Sequence, residues 1–270
     1  MRVQTLVILS AITAISITAF SLIGSDKPLK KSDIEYQSKT SAEFTKPFEV
    51  PLINIPEEEF LLAIESRFIQ TVTKKELLDQ SSIEPFLGED ELRSIVSYNS
   101  VEITVFKENN EKRPSAIGTS EKLNEKQLAL IRSLDYSANI YIKADFHRKV
   151  EGSDELISGY STPHITIIPE TQAEYIQGIG SLTSYLRDNS YRQTRMTNKS
   201  ELDPGKIYFT VSKNGIISDV RLSSSCGYPL VDNKLVDLIR KSPGLWNPAM
   251  NEDGEAVDQE LVLFFGNMGC

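Results

Sequence analysis

Lys206-Ile207-Tyr208-Phe209-Thr210-Val211-Ser212-Lys213-Asn214-Gly215-Ile216-Ile217-Ser218-Asp219-Val220-Arg221-Leu222 reads as a β-hairpin. Ile207, Phe209 and Val211 alternate with polar or amphipathic neighbours, and Asn214-Gly215 offers the positive φ angles that a tight hairpin turn demands. Ile216, Val220 and Leu222 then resume a period of two on the return strand. Downstream, Val231, Leu235, Leu238 and Ile239 fall on one face of a helix, with Asp232 as the expected cap and Pro243-Gly244 as the stop. A last strand from Val257 to Phe265 completes a hairpin, helix, strand unit.

The order of these elements resembles the C-terminal domain of the TonB family, which couples the inner bacterial membrane to outer-membrane receptors. The residues that carry the likeness are Gly205, Asn214-Gly215, Ser218-Asp219-Val220 and Ser224-Ser225-Cys226-Gly227. Further along they are Leu230-Val231-Asp232, Trp246-Asn247-Pro248-Ala249 and Gly254. Pro169 to Asn189 would supply the family's first helix, with Ile179, Leu182, Tyr185 and Leu186 on its apolar face. Tyr175 after Glu174 resembles the domain's opening, although Ile176 stands where the family usually has proline.

The resemblance implies docking by strand addition, in which a partner peptide pairs with unfilled N–H and C=O groups at a sheet edge. Transferred to this chain, the candidate partner-binding residues are Tyr208, Thr210, Arg221, Ser223, Val262 and Phe264. The implied partner is an envelope protein such as a TonB-dependent outer-membrane receptor, and the edge strands also allow a homodimer. Two departures limit the transfer. Residues 25–47 are a polar linker containing only Pro28 and Pro47, where the family has a long proline-rich segment. No histidine lies between Met1 and Gly24, whereas the family's membrane helix uses one in energy coupling.

Leu6 to Gly24 carries no charged side chain, follows Arg2 and precedes Asp26, Lys27, Lys30 and Lys31. The stretch is long enough to span a bilayer as an inner-membrane anchor; a signal peptide cut after Ser21 in Ala19-Phe20-Ser21 is the alternative. The lysines after the stretch favour an anchor with the bulk of the chain in the cytoplasm, but charge bias orients short loops better than large domains. The extreme N-terminal position reads as an export signal, so the rest of the chain is expected in the periplasm. The formal net charge of −9 over 270 residues argues against a nucleic-acid partner, because phosphate-tracking surfaces are basic.

Cys226 and Cys270 are the only cysteines. A right-handed crossover makes the second and third strands of the terminal unit run the same way, so both cysteines are expected at one end of its sheet. A disulfide there would suit an oxidising compartment. Two free thiols are the alternative, and a metal pair lacks further ligands nearby.

Residues 48–168 read as a separate module. Pro56 is expected to open a helix whose first turn holds Glu57, Glu58 and Glu59 and whose apolar face is Phe60, Leu61, Ile64 and Phe68. Val101, Ile103 and Val105 alternate as a strand; Asn124 and Gln127 suit a capping box ahead of Leu128, Ile131 and Leu134. Ile140, Ile142, Ala144 and Phe146 line a further strand, and Ile165 and Ile167 a last one. Glu108 to Lys122 reads as a surface loop, and Ser190 to Asp203 as a mobile connection.

The expected architecture is therefore α+β. It comprises an N-terminal hydrophobic helix over 1–24, the linker 25–47, the α+β module 48–168 and a TonB-like domain over 169–270.

Catalytic constellations are not legible. His147 and His164 each lack a neighbouring cysteine or second histidine, no Gly-x-Ser-x-Gly is present, and Gly178-Ile179-Gly180 lacks the third glycine of a dinucleotide loop. Glu89-Asp90-Glu91 reads as a helix first turn and not as a calcium loop. Trp246, the sole tryptophan, is expected in the core. No cofactor, metal site or enzymatic activity is expected. The leading reading is a non-enzymatic periplasmic docking protein, and the second is a soluble structural or assembly factor that uses the fold without transducing energy.

Overall fold

The computed structural model describes residues 60–106 and 113–267. The expected membrane anchor, the linker, the Glu57 to Glu59 run and Cys270 lie outside the described residues. Among the described residues, no helix is long and apolar enough to cross a membrane.

The elements follow in the order β1 (Leu61–Glu65), β2 (Gln70–Thr73), α1 (Lys74–Asp79), α2 (Glu89–Ser94), β3 (Ile95–Val105), β4 (Ser115–Gly118), α3 (Glu125–Arg132), β5 (Asn139–Lys149), β6 (Leu156–Ser161) and β7 (His164–Ile168). Then come β8 (Glu174–Tyr175), α4 (Ile179–Thr194), β9 (Pro204–Val211), β10 (Ile217–Ser224), α5 (Pro229–Arg240), β11 (Trp246–Asn247), β12 (Ala249–Met250), β13 (Ala256–Val257) and β14 (Gln259–Gly266). The fold is mixed α+β. One sheet has the order β2-β7-β5-β3-β4, with β6 also paired to β5; the other has the order β1-β14-β9-β10.

In the first sheet, alternation does what a half-buried strand requires: Ile140, Ile142, Ala144 and Phe146 of β5 are all buried, beside Val101, Ile103 and Val105 of β3. The capping box forms, with Gln127 N donating to Asn124 Oδ1 and Asn124 N donating to Gln127 Oε1, each at 3.0 Å. Gln127 is fully buried because its Nε2 also donates to the Val101 carbonyl at 3.0 Å, which fastens α3 to β3. Glu89, Asp90 and Glu91 do occupy the first turn of α2, at the positive end of its dipole.

In the second sheet, Ile207, Phe209 and Val211 of β9 and Leu261, Leu263 and Phe265 of β14 share one core with Leu182 and Leu186 of α4 and Val231, Leu235, Leu238 and Ile239 of α5. Trp246 joins that core, its ring 5.9 Å from Phe209 and edge-on to Tyr175 at 5.3 Å.

Several expectations are corrected. Phe60, Leu61, Ile64 and Phe68 do not form a helical face: Leu61–Glu65 is a strand paired antiparallel with β14. The hairpin turn is longer than two residues, spanning Ser212 to Ile216, and only Gly215 takes positive φ, at 72°. The return strand does not keep a period of two. Its register with β9 shifts between Ser218 and Arg221 and again between Leu222 and Ser224, with Asp219 in the left-handed region at φ 50°; Ile216 and Leu222 are exposed.

Asp232 is not the cap of α5, since Pro229 opens the helix after Tyr228. Its buried carboxylate instead accepts from Cys226 N at 3.0 Å and Ser225 Oγ at 2.5 Å, which holds the loop ahead of the helix. Ser190 to Asp203 is not a mobile connection throughout: α4 continues to Thr194, and Ser190 is fully buried. Within the expected loop Glu108 to Lys122, Ser115–Gly118 pairs with β3 as β4.

Candidate docking site

Strand addition needs a sheet edge, so the site is built from the edges of the second sheet. At one end, β10 pairs only with β9 among the described strands and carries two register shifts and largely exposed side chains. Bulges of this kind twist an edge away from regular pairing and make it a poor template. At the other end, β14 is not an edge. The pairs Leu62↔Phe265, Ala63↔Phe264, Ile64↔Leu263 and Glu65↔Val262 cover its outer side with β1.

The six candidate residues separate accordingly. Tyr208 and Val262 are each 1% exposed and are not surface contacts. Phe264 is half-buried, lies opposite Ala63 and Lys206, and has the Lys206 ammonium 5.9 Å from its ring centre. Thr210 is half-buried, whereas Arg221 and Ser223 are exposed. Tyr208, Thr210 and Arg221 come together as part of the wall of one open cleft of about 790 Å³, on the sheet face opposite α4 and α5.

Arg67 lies over that face. Its Nη1 donates to the Tyr208 hydroxyl, and its guanidinium sits 4.0 Å from the Phe106 ring centre and 5.5 Å from that of Tyr208. Arg221 approaches the Tyr208 ring at 4.8 Å and pairs with Glu260 at 2.6 Å. Ser137, held at φ 63°, accepts the Glu260 backbone N–H at 2.8 Å and so satisfies β14 just beyond the end of β1. The cleft thus carries Arg67, Lys213 and Arg221 beside Asp135, Asp258 and Glu260, of which Arg221 and Glu260 pair with each other and Asp135 pairs with Lys74.

Arg67 and the strand β1 were not among the sequence candidates. The signal that could have found β1 is the period of two in Phe60, Leu62 and Ile64, which coexists with the helical spacing. Replacing Arg67 with alanine should cost about 2–3 kcal/mol, since it leaves the buried Tyr208 hydroxyl without this donor and removes a cation from the rings of Phe68, Phe106 and Tyr208. Urea unfolding of Arg67→Ala, Tyr208→Phe and the double variant checks this; strictly additive losses would refute the coupling.

Cys226 has no exposed surface, its Sγ lies 4.0 Å from the Tyr228 carbonyl oxygen, and burial, followed by Asp232, pushes the thiol up to about 12. Its backbone carbonyl accepts from Asp203 N at 3.1 Å, and a Cβ at Gly266 would lie 3.1 Å from its Cβ, so the ends of β10 and β14 do meet. The expected partner, Cys270, lies outside the described residues.

The reduced thiol should resist iodoacetamide at pH 8 in the native protein and react after denaturation, as peptide mapping would show. The folded thiol releases its proton at higher pH than the unfolded one, whose ordinary value is 9.0. Its contribution to stability is therefore complete below pH 9 and is lost as pH rises toward about 12. Denaturation midpoints of the wild type and Cys226→Ala should converge over that window.

His147 lies half-buried on β5, and His164 opens β7, exposed, with its Nδ1 2.8 Å from the Thr162 carbonyl oxygen. Among the described residues no group of three or more His, Cys, Asp or Glu side chains is placed to hold a metal ion. Comparison with protein-family models, curated proteins and solved structures finds no match.

Proposed function

We propose that this chain is a non-enzymatic docking protein of the bacterial envelope that resembles TonB and binds a partner by strand addition to its C-terminal sheet. The observation that supports this reading is β1: a segment remote in sequence is added antiparallel to β14, so this edge has the geometry to accept an extended strand. The partner class follows from the resemblance and is an envelope protein such as an outer-membrane receptor. The site is exported, either on an uncleaved inner-membrane helix or after signal cleavage.

Cysteines introduced singly at exposed positions beside β1, such as Glu65 and Ile69, and at Arg221 and Ser223 of the opposite end strand, cross-linked in intact cells, test the proposal. A discrete partner adduct is expected from the positions beside β1, and nonspecific envelope background at every position would sink it. N-terminal sequencing of the mature protein separates the tethered from the released form. A cleaved terminus would favour a structural or assembly factor, because transmitting force through the membrane requires an intact anchor.

A further inference from the structure

We propose that the pocket at the Glu65 end of β1 is a docking site for an extended partner segment that carries one large aliphatic side chain between basic residues. The proposal rests on the docking reading above and names the chemistry of the partner. β1 ends the second sheet, pairing with β14 on one side and with no other strand among the described residues. A segment lying along β1 therefore reaches this pocket where the strand ends.

The pocket holds about 490 Å³, within the usual range of binding sites. Its walls include Ile64, Phe68, Tyr175 and Trp246, and they are fastened from behind. Phe68 N donates to Thr166 Oγ1 at 2.9 Å, the Tyr175 hydroxyl donates to the Pro243 carbonyl, and Trp246 pairs with Tyr175 through β11 and β8. A preformed pocket loses little ordering entropy when it fills.

The mouth is apolar. Ile69 and Ile179 line it, Ile69 being 97% exposed. Ile176 and Leu245, both exposed, follow and precede the paired Tyr175 and Trp246, and Ile176 N donates to the Leu245 carbonyl at 3.0 Å. Single exposed aliphatics are ordinary, but four around one pocket mark a contact surface. The charged side chains that line the pocket are Glu65 and Glu174, both exposed, and neither is ion-paired among the described residues. That rim attracts a basic segment and repels an anionic membrane surface.

The test titrates the full chain with the end-blocked peptide Lys-Thr-Leu-Thr-Lys and reads the emission of Trp246, the sole tryptophan. Two comparison peptides replace the leucine by serine, or both lysines by glutamate. The first peptide should bind saturably, with a Kd of about 1 mM or tighter, and shift the emission to the blue as water leaves the pocket. Either replacement should weaken binding at least about 10-fold, and Ile69→Asp should weaken it as much. Glu65→Lys with Glu174→Lys should reverse the order of the lysine and glutamate peptides.

Absence of saturable binding, equal affinity for the three peptides, or an order unmoved by charge reversal would overturn the proposal. The peptide series on the unchanged chain decides even where a variant does not fold. Dimerisation of the chain by itself, abolished by Ile69→Asp, would overturn it in favour of a second copy. Failure of the docking reading looks different: the peptides bind in the expected order, yet cysteines at positions 65 and 69 capture no envelope adduct. An adduct without the peptide preference would keep docking and remove the basic partner.

Discussion

Gly215→Val is expected to destabilise the fold by about 3–5 kcal/mol, a large share of the roughly 5–15 kcal/mol by which a domain is usually stable. Two effects act together. Gly215 sits at φ 72°, where a β-branched side chain meets its own backbone, and a Cβ at this position would fall on the carbonyl oxygen of Trp246. That oxygen belongs to the strand pairing Trp246 with Tyr175, so it cannot yield without disturbing the packing of both rings. Gly215→Ala should show a smaller loss, because the collision remains while the β-branch is absent. Guanidinium denaturation of both variants checks the order; a midpoint for Gly215→Val within error of the wild type would refute it.

Phe209→Ala should cost about 3–5 kcal/mol through lost transfer energy and the cavity left behind. Phe209 is fully buried at the middle of β9, opposite Leu261 of β14, in the core shared with α4 and α5. It also supports Trp246, so the tryptophan fluorescence of this variant should shift to the red before global unfolding. A loss below about 1 kcal/mol would mean that the surrounding core collapses into the space, contrary to the close packing of protein interiors. Gly215 and Phe209 both contact Trp246, so the double variant is expected to depart from additivity.

These two residues show where sequence and structure agree. Phe209 belongs to an alternation that announces its burial, and Asn214-Gly215 announces a turn. The reason that this turn tolerates only glycine is legible only once the Trp246 carbonyl is in place. Asp232 illustrates the same division: an acidic residue near a helix start suggests a cap, and a cap uses local atoms. In the structure Pro229 opens the helix, and the carboxylate turns to the Ser225-Cys226 loop.

The segment Phe60 to Phe68 is the sharpest divergence. Its apolar residues fit a helical face and an alternating strand about equally, and local propensity does not choose between them. The outer edge of β14 chooses, by supplying a row of hydrogen-bond partners and the apolar surface of Phe265 and Leu263. The candidate site follows from that choice. Tyr208 and Val262 alternate as expected on the face away from α4 and α5, but they are buried there, Tyr208 beneath Arg67, a residue distant in sequence.

What the sequence determined by itself is what rests on short-range chemistry. The hairpin, the capping box of α3, the amphipathic α5, the buried alternation of β5 and the core position of Trp246 all arise from spacing, caps and turn residues within a few positions of one another. Only the tertiary structure decided that Leu61–Glu65 is a strand, that β14 has no open edge and that β10 is interrupted. Each of these depends on pairing between segments far apart in the chain, and the hydrogen bonds and apolar area that select them exist only after the second sheet has assembled.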